Sequence, residues 1–378
     1  MGRLGYDVFV GIPFALSRPV RLLRDMVVDR DHPDLERLAS IREPEQFVWA
    51  VLPHAARTFA PCITLLPRRA SLSAAVAYLY CRMLDTYEDL LVHPAKRDAA
   101  LAAFASRLDA ATPRGVPAPP PIRESAARDA RDAAHLLLVE QHALVDQVYL
   151  TLDPEVRELI RTLVREMSEG MRWSSSAFEQ QGGVLESEEQ LARYCRNVIG
   201  QPVLFASRLL RWHETGGGAS LPEPVAEDAM TVGEMIQLAN VTRDIEKDLL
   251  RGIAYDPRLR ADLGSAVDGD PALAERIRSV RGDLLVMALS RASSYRRLIE
   301  GLSPRRFSLA RASGVLMLLF TDRYFRACAR RAGRPTWGRH RSGPRLILAA
   351  LPAAWSRRWT RRVISEVEQN FLRAATVS

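Results

Sequence analysis

Apolar residues in this chain recur at intervals of three and four, and no other feature limits the accessible folds so strongly. The pattern runs through Leu137, Leu138, Val139, Leu144, Val148 and Leu150, through Val232 to Leu250, and through Leu309 to Phe325. That spacing lays an apolar stripe along a helix, whereas a half-buried strand needs strict alternation. Strand-favouring runs are scarce, while Ala, Leu, Arg and Glu, all good helix formers, recur throughout. The expected fold class is all-α. Two segments interrupt the pattern. Thr112-Pro-Arg-Gly-Val-Pro-Ala-Pro-Pro-Pro121 is a surface loop, because proline lacks the amide hydrogen and clashes with the preceding helical turn. Thr215-Gly-Gly-Gly-Ala-Ser-Leu-Pro222 is a second loop. Both join helical stretches and neither flanks an independent core. The 378 residues are therefore expected to form a single domain, with an N-terminal appendage over 1–35, a helical core over 36–330 and a basic C-terminal segment over 331–378.

A formal net charge of +8 favours anionic partners: nucleic acid, an anionic membrane or a phosphorylated substrate. No helix-turn-helix or zinc-finger pattern is present and aromatic residues make up only 7%, which argues against nucleic acid. Cys62, Cys81, Cys195 and Cys328 lie far apart with no CxxC pair, so they read as reduced, buried thiols in a cytoplasmic protein, with no metal site among them. The moderately apolar stretch Leu4 to Val20 is broken by Asp7, Pro13, Arg18 and Pro19, and no secretory signal is expected. No segment reaches the ~18 uninterrupted apolar residues of a membrane-spanning helix. The expectation is a soluble protein, or one peripheral on the inner face of the membrane.

Two segments carry chemistry. In Tyr78-Leu-Tyr-Cys-Arg-Met-Leu-Asp-Thr-Tyr-Glu-Asp89, residues Tyr78, Arg82, Asp85 and Asp89 fall at spacings of four, three and four and share one helical face. Two carboxylates one turn apart supply hard oxygen ligands of the kind Mg²⁺ takes together with water and phosphate. A solvated charged face with an Arg82–Asp85 pair is the competing reading, but the apolar flanks on both sides place the acidic stripe in a helix that otherwise looks buried. In Gln237-Leu-Ala-Asn-Val-Thr-Arg-Asp-Ile-Glu-Lys-Asp248, residues Asn240, Asp244 and Asp248 repeat every four, and Arg243, Lys247 and Arg251 repeat every four beside them. Adjacent acidic and basic ridges suit a metal-bridged polyphosphate. A surface helix laced with intrahelical ion pairs fits the same pattern.

Together these segments resemble the two aspartate-rich motifs of the squalene/phytoene synthase family. Arg82-Met-Leu-Asp-Thr-Tyr-Glu-Asp89 is similar to the first motif, in wording closer to squalene than to phytoene synthases, and Asn240 to Asp248 is similar to the second. Three further stretches follow the family in order: Ala56-Arg-Thr-Phe59 with Leu65-Leu-Pro67, Tyr194-Cys-Arg-Asn-Val-Ile-Gly200, and Arg251-Gly252 through Tyr255-Asp-Pro257. The resemblance covers roughly residues 45 to 350.

The resemblance implies a helical isoprenoid-synthase bundle with a central diphosphate and Mg²⁺ pocket, acting on allylic isoprenoid diphosphates. Asp85, Asp89, Asn240, Asp244 and Asp248 would hold Mg²⁺. Arg57, Thr58, Arg82, Arg243, Lys247 and Arg251 would hold diphosphate, and Tyr194 would assist proton removal. Ile199, Gly200, Val203 and Gln237 would line a prenyl tunnel. The implied reaction joins two farnesyl diphosphates head to head, with NADPH as a candidate reductant although no GxGxxG fingerprint is present.

Several positions depart from the family. Lys247 stands for a usual Glu, Ile253 for a usual Arg, and Ile199 for a usual Ala, while Gln201-Pro-Val203 follows Gly200. These changes favour an alternative within the fold, a terpene cyclase or other prenyltransferase. A non-catalytic isoprenoid- or membrane-binding homologue is a third reading, opposed by the presence of every expected motif Asp. Near Arg305-Arg-Phe-Ser308 the basic pair reads either as a nucleotide-phosphate contact or as a helix start capped by Ser303-Pro304. Arg345 to Val363 reads as a basic amphipathic segment able to rest on an anionic membrane, or as a helix packed on the body with its arginines outward. Monomer and homodimer are both left open.

Overall fold

The computed structural model describes residues 14–29, 31–122, 127–266, 270–302, 307–336 and 343–375. Among the described residues the regular structure is helical, and β pairing is confined to two isolated bridges, Thr112 with Gly115 and Val184 with Ala254. The all-α expectation holds. The proline-rich segment is a loop, and the glycine-rich one is a loop from Gly216 on, its Thr215 ending a helix. The alternatives for Ser303 to Arg306 fall outside the described residues. The chain gathers into two compact units, one of residues 1–169 and 208–220 and the other of 170–207 and 221–378.

The first unit contains α1 (Phe14–Val27), α2 (Leu35–Ser40), α3 (Pro44–Ala56), α4 (Phe59–Leu65), α5 (Arg68–Leu90), α6 (Pro94–Asp109), α7 (Ala130–Glu140) and α8 (His142–Thr151). It also holds the beginning of α9 (Pro154–Gln180) and the end of α11 (Gln201–Thr215). The single periodic stretch expected over 137–150 is two helices, broken at Gln141. Helix α5 is the centre of this unit because it is apolar nearly all round. Ala70, Ala75, Leu79, Tyr80, Met83, Leu84 and Tyr87 are fully buried, and α3, α4, α6, α7 and α8 pack on it. Its small N-terminal residues allow close approach, and Ser71 Oγ donates to the Ile63 carbonyl of α4 at 2.7 Å. Buried Asp146 of α8 accepts from Tyr80 Oη of α5 at 2.7 Å and from Arg107 of α6, and lies 2.8 Å from His142 Nδ1. Such a satisfied buried network fixes the mutual register of three helices. Arg107 also donates to Pro117 O at 2.7 Å and Tyr87 donates to Pro120 O, so the proline-rich loop is tied to the helices beneath it.

The second unit contains the rest of α9 and α11, with α10 (Glu188–Cys195), α12 (Glu223–Leu250), α13 (Pro271–Ser290), α14 (Ala292–Leu302), α15 (Leu309–Arg331), α16 (Gly343–Ala350) and α17 (Arg357–Ala375). Helix α12 is its axis. Three arginine–carboxylate clamps fix neighbours to it: Arg281 to Glu246 at 2.6–2.7 Å, Arg291 to buried Glu234 at 2.5 Å, and Arg297 to Asp228 at 2.7–3.1 Å. The C-terminal segment packs on this unit. Val363, Ile364, Val367 and Phe371 of α17 are buried, with Phe371 4.2 Å from the Phe325 ring of α15. Buried Arg311 donates to the carbonyls of Ala353 at 2.6 Å and Ala354 at 2.9 Å, which anchors the turn before α17. Among the described residues no helix is long and apolar enough to cross a membrane. All four cysteines are buried and none is bridged.

Candidate functional site

In the first unit, α5 presents Arg82 and Asp85 on one face, as their spacing predicts. The Arg82 guanidinium is fixed from three sides. Its Nε donates to Ala55 O at 3.2 Å, one Nη donates to Tyr78 Oη at 3.2 Å, and the other lies 3.0 Å from Asp85 Oδ2. The Arg82–Asp85 pair of the competing reading is therefore real, and it orients the guanidinium. Asp89 sits exposed at the end of the helix. Burial raises the Asp85 carboxyl above its ordinary range, Arg82 opposes this and Asp89 adds to it. Glu88, to which the motif assigned no role, is pushed up to about 8 by burial and then by Asp85 and Asp89. Three carboxylates within two turns repel one another, and a divalent cation relieves that repulsion.

Arg57 stands where α3 ends. Its φ of 47° and ψ of −107° make it, among the described residues, the only non-glycine with positive φ, while its N–H closes on Pro53 O at 3.2 Å. Strain of this kind costs roughly 1–3 kcal/mol and gathers where a side chain must be aimed. The Arg57 side chain is 3.6 Å from Asp31 and half-buried. Thr58 follows at the start of α4 and its hydroxyl makes no capping bond. Sequence reasoning gave no role to the residues of α7. Arg131 there is lowered by burial and by the like charges of Arg57 and Arg82. Buried His135 is pushed down to about 3 by burial, then by Arg82 and Arg131. These mutual effects describe a basic cluster of Arg57, Arg82 and Arg131 with a neutral imidazole. A helix of ordinary amphipathic composition gave no signal for it.

In the second unit, neighbouring arginines sort the acids of α12. Asp228, Glu234 and Glu246 are taken by the clamps, and Glu227 pairs with Arg196. Asp244 is paired along its own helix with Arg243, whose Nε donates to it at 2.8 Å and whose guanidinium lies 5.1 Å from the centre of the Tyr324 ring. Asp248 is half-buried one turn on, and its carbonyl accepts from the amides of Arg251 and Ile253 at 3.0 and 2.9 Å. Lys247 and Arg251 are exposed. Asn240 Nδ2 donates to Gln237 Oε1 at 3.1 Å, Gln237 Nε2 donates to Tyr194 Oη at 3.5 Å, and Tyr194 Oη lies 3.2 Å from Tyr255 Oη. A polar chain thus runs from Asn240, one of the candidate ligands, to the tyrosine that the resemblance singles out. Gln237, expected in the tunnel, is a link in that chain.

Phe178 and Tyr255 complete an aromatic group around Tyr194, with ring centroids 6.3 and 5.2 Å from it. Tyr255 is placed by the loop after α12. Ala254 N donates to Gly183 O at 2.9 Å and Leu185 N donates to Ala254 O at 3.1 Å. The loop approaches so closely that a Cβ on Gly183, itself at φ +89°, would lie 2.2 Å from Gly252 O. The Gly182-Gly183 pair after a long helix is the sequence signal for this turn, and it went unread.

The segment Arg196–Gly200, between α10 and α11, is a π-helical turn in which Gln201 N donates to Arg196 O. Pro202 accounts for it. Proline has no N–H and crowds the carbonyl four residues back, and a widened turn relieves both. The turn crosses α12 at bare backbone, since a Cβ on Gly233 would lie 2.3 Å from Gly200 Cα. Ile199 and Val203 are half-buried on either side.

The donor set fits Mg²⁺. On α5 it is two carboxylates, and on α12 it is two carboxylates and an amide. Mg²⁺ binds in this way when water and substrate phosphate complete its shell.

Comparison with known proteins identifies the family and the fold. The family model described as Squalene/phytoene synthase matches residues 52–343. The chain is 26% identical over 254 residues to a squalene synthase of Schizosaccharomyces pombe, covering 65% of this chain and 52% of that one. It is 25% identical over 210 residues to squalene synthase BSS of Botryococcus braunii, covering 55% and 41%. The chain thus spans about half, or less, of the curated relatives it matches. A solved structure of TcSQS with the ligand BPH1237 superposes with a TM-score of 0.63 at 15% identity, over 87% of this chain and 91% of that one. A second, with the ligand E5700, gives 0.60 at 16% identity, over 88% and 98%. These likenesses establish the isoprenoid-synthase fold, and with the family match over most of its length the chain belongs to the squalene/phytoene synthase family.

Proposed function

We infer that this protein is a Mg²⁺-dependent prenyltransferase that ionises allylic diphosphates and joins two of them head to head, with farnesyl diphosphate as substrate and a squalene-type product. One observation carries the reading: two helices bear oxygen ligands at one-turn spacing, each beside a guanidinium already oriented by the protein. Allylic diphosphates react by losing diphosphate, so stabilising that leaving group is the principal demand on the site. Bound Mg²⁺ supplies charge neutralisation of the diphosphate.

The chain's own residues do the rest. Asp85 and Asp89 of α5 would hold Mg²⁺ in the first unit, and Asn240, Asp244 and Asp248 of α12 would hold it in the second. Arg82 and Arg243 meet phosphate oxygens with planar forks whose orientation is set beforehand, with Arg57, Lys247, Arg251 and the Thr58 hydroxyl as further donors. Phe178, Tyr194 and Tyr255 present aromatic faces that exclude water and attract a cation by ~0.5–2 kcal/mol. The Tyr194 hydroxyl, bonded into the Gln237–Asn240 chain, takes up or orients the departing proton together with released diphosphate. NADPH is the reductant of the squalene-forming version. Contact with an anionic membrane belongs to the same reading, since both substrate and product are lipids.

A second reading, cyclisation or another prenyl transfer, is favoured by one feature: Ile199, Pro202 and Val203 enlarge and widen the turn that crosses Gly233. Incubation of the purified protein with Mg²⁺ and farnesyl diphosphate, with and without NADPH, followed by mass spectrometry of the extract, separates the two. Squalene formed only with NADPH supports the first reading. A cyclic or shorter hydrocarbon replaces it with the second, and a lack of any turnover of farnesyl or geranylgeranyl diphosphate counts against both.

A further inference from the structure

The C-terminal segment uses the apolar side of α17 on its own unit, so that side is not available to a membrane. What remains outward is the corner before it. Leu348 is 67% exposed, Trp355 66% and Phe307 49%, and the Phe307 and Trp355 rings lie against each other at 5.3 Å. A large aromatic pair left in water is unusual for a soluble surface and marks a site of contact. The corner is also held firmly. The carbonyls of Ala353 and Ala354 are bound by Arg311, Ser308 N donates to Ala354 O at 2.9 Å, and Trp359 Nε1 donates to Ala349 O at 2.9 Å, joining the start of α17 to α16. Trp355 is therefore displayed on a rigid support.

Its charge surroundings select among occupants. Residues 343–365 contain Arg345, Arg357, Arg358, Arg361 and Arg362 and no acidic residue. Arg361 is held by Glu300 at 2.8 Å, and Arg362 lies 5.8 Å from the centre of the Trp359 ring. Arg345, Arg357 and Arg358 are exposed. A protein partner would need an acidic rim around an apolar centre. A second copy of this chain would bring the same arginines against themselves. An anionic bilayer meets both demands at once, because Trp and Phe settle at the headgroup level while arginines pair with lipid phosphates.

We propose that the Phe307–Trp355 pair, with Leu348 and the arginines of residues 345–362, is an interfacial membrane anchor that docks the second unit on anionic lipid bilayers. The anchor deepens the functional reading above, but its test needs no substrate, so the two can fail separately.

The test is sedimentation of the full chain with vesicles of phosphatidylcholine alone and of phosphatidylcholine with 30% phosphatidylglycerol, a composition of about one anionic lipid in three. Binding is expected to the anionic vesicles only, and to weaken with salt. The double variant Phe307→Ser/Trp355→Ser should lower the partition about tenfold or more. Arg357→Glu/Arg358→Glu should lower it to a similar extent. Val92→Ser, at a position 90% exposed in the other unit, should leave it unchanged. All four side chains altered in the two test variants are exposed, and unchanged circular dichroism would verify folding. Full binding by the Phe307/Trp355 variant, or no binding of the parent to either vesicle, overturns the proposal. So does a dimer of the parent that the aromatic variant dissociates, since the patch would then be occupied by a second copy.

Discussion

Arg82 makes three attachments to its own unit before any ligand arrives, and Arg243 is likewise held by Asp244 beside the Tyr324 ring. Side chains fixed in this way lose little freedom on meeting a phosphate, which is how a modest number of cations stabilises a leaving group. The tyrosines differ in their attachment. Tyr194 Oη accepts from Gln237 and lies 3.2 Å from Tyr255 Oη, which stands one link farther along this polar chain. Tyr194→Phe should therefore lower kcat by about a hundredfold, in keeping with loss of a proton-handling group. Tyr255→Phe should lower it by only about tenfold, because the remaining ring keeps the aromatic wall. Steady-state kinetics on both variants checks the order, and an equal or reversed effect would show that the relay does not end on Tyr194. At this scale the sequence was readable where spacing carries meaning. Asp85, Asp89, Asn240, Asp244 and Asp248 stand out by their one-turn repeat. Arg131, His135 and Phe178 do not, because their roles depend on neighbours distant in sequence.

Helices α5 and α12 show why an acidic stripe survives in a nearly buried helix. Each is the axis of its unit, so most of its surface is covered, and in α12 Glu227, Asp228, Glu234 and Glu246, outside the stripe, are met by Arg196, Arg281, Arg291 and Arg297. The stripe was visible in the periodicity. The sorting of α12's acids into clamps and candidate ligands was not, because it is decided by α13 and α14. The π-helical turn was half legible. Pro202 and the larger residues around Gly200 were read as changes to a tunnel, yet their most direct consequence is a widened turn lying on Gly233. Gly233→Ala would push a methyl group to 2.3 Å from Gly200 Cα, where only backbone can yield. It should destabilise the protein by about 3 kcal/mol, as overpacking against a rigid partner does. Chemical denaturation of parent and variant measures this, and a change below about 0.5 kcal/mol would mean that α12 and the turn separate freely.

For the whole molecule, helical period and loop chemistry were enough to anticipate an all-α chain with breaks at the proline-rich and glycine-rich segments, because both signals are local. The fate of the C-terminal segment was not readable. Its alternation of apolar residues and arginines suits a membrane surface and a protein surface equally, and Arg311, more than thirty residues upstream, fixes the turn before α17 by binding the carbonyls of Ala353 and Ala354. The charge surplus acquires two distinct meanings: a basic cluster beside the first acidic stripe, and outward arginines around an aromatic pair. The central claim is that the carboxylates of α5 and those of α12 are each needed, with Mg²⁺, for the release of diphosphate. The most direct measurement is the rate of diphosphate release from farnesyl diphosphate, with Mg²⁺ and with chelator, for the parent chain and for Asp85→Asn and Asp244→Asn. The account predicts release only with Mg²⁺ and a fall of about a thousandfold in each variant. Release that persists in chelator, or that either substitution leaves intact, would contradict it.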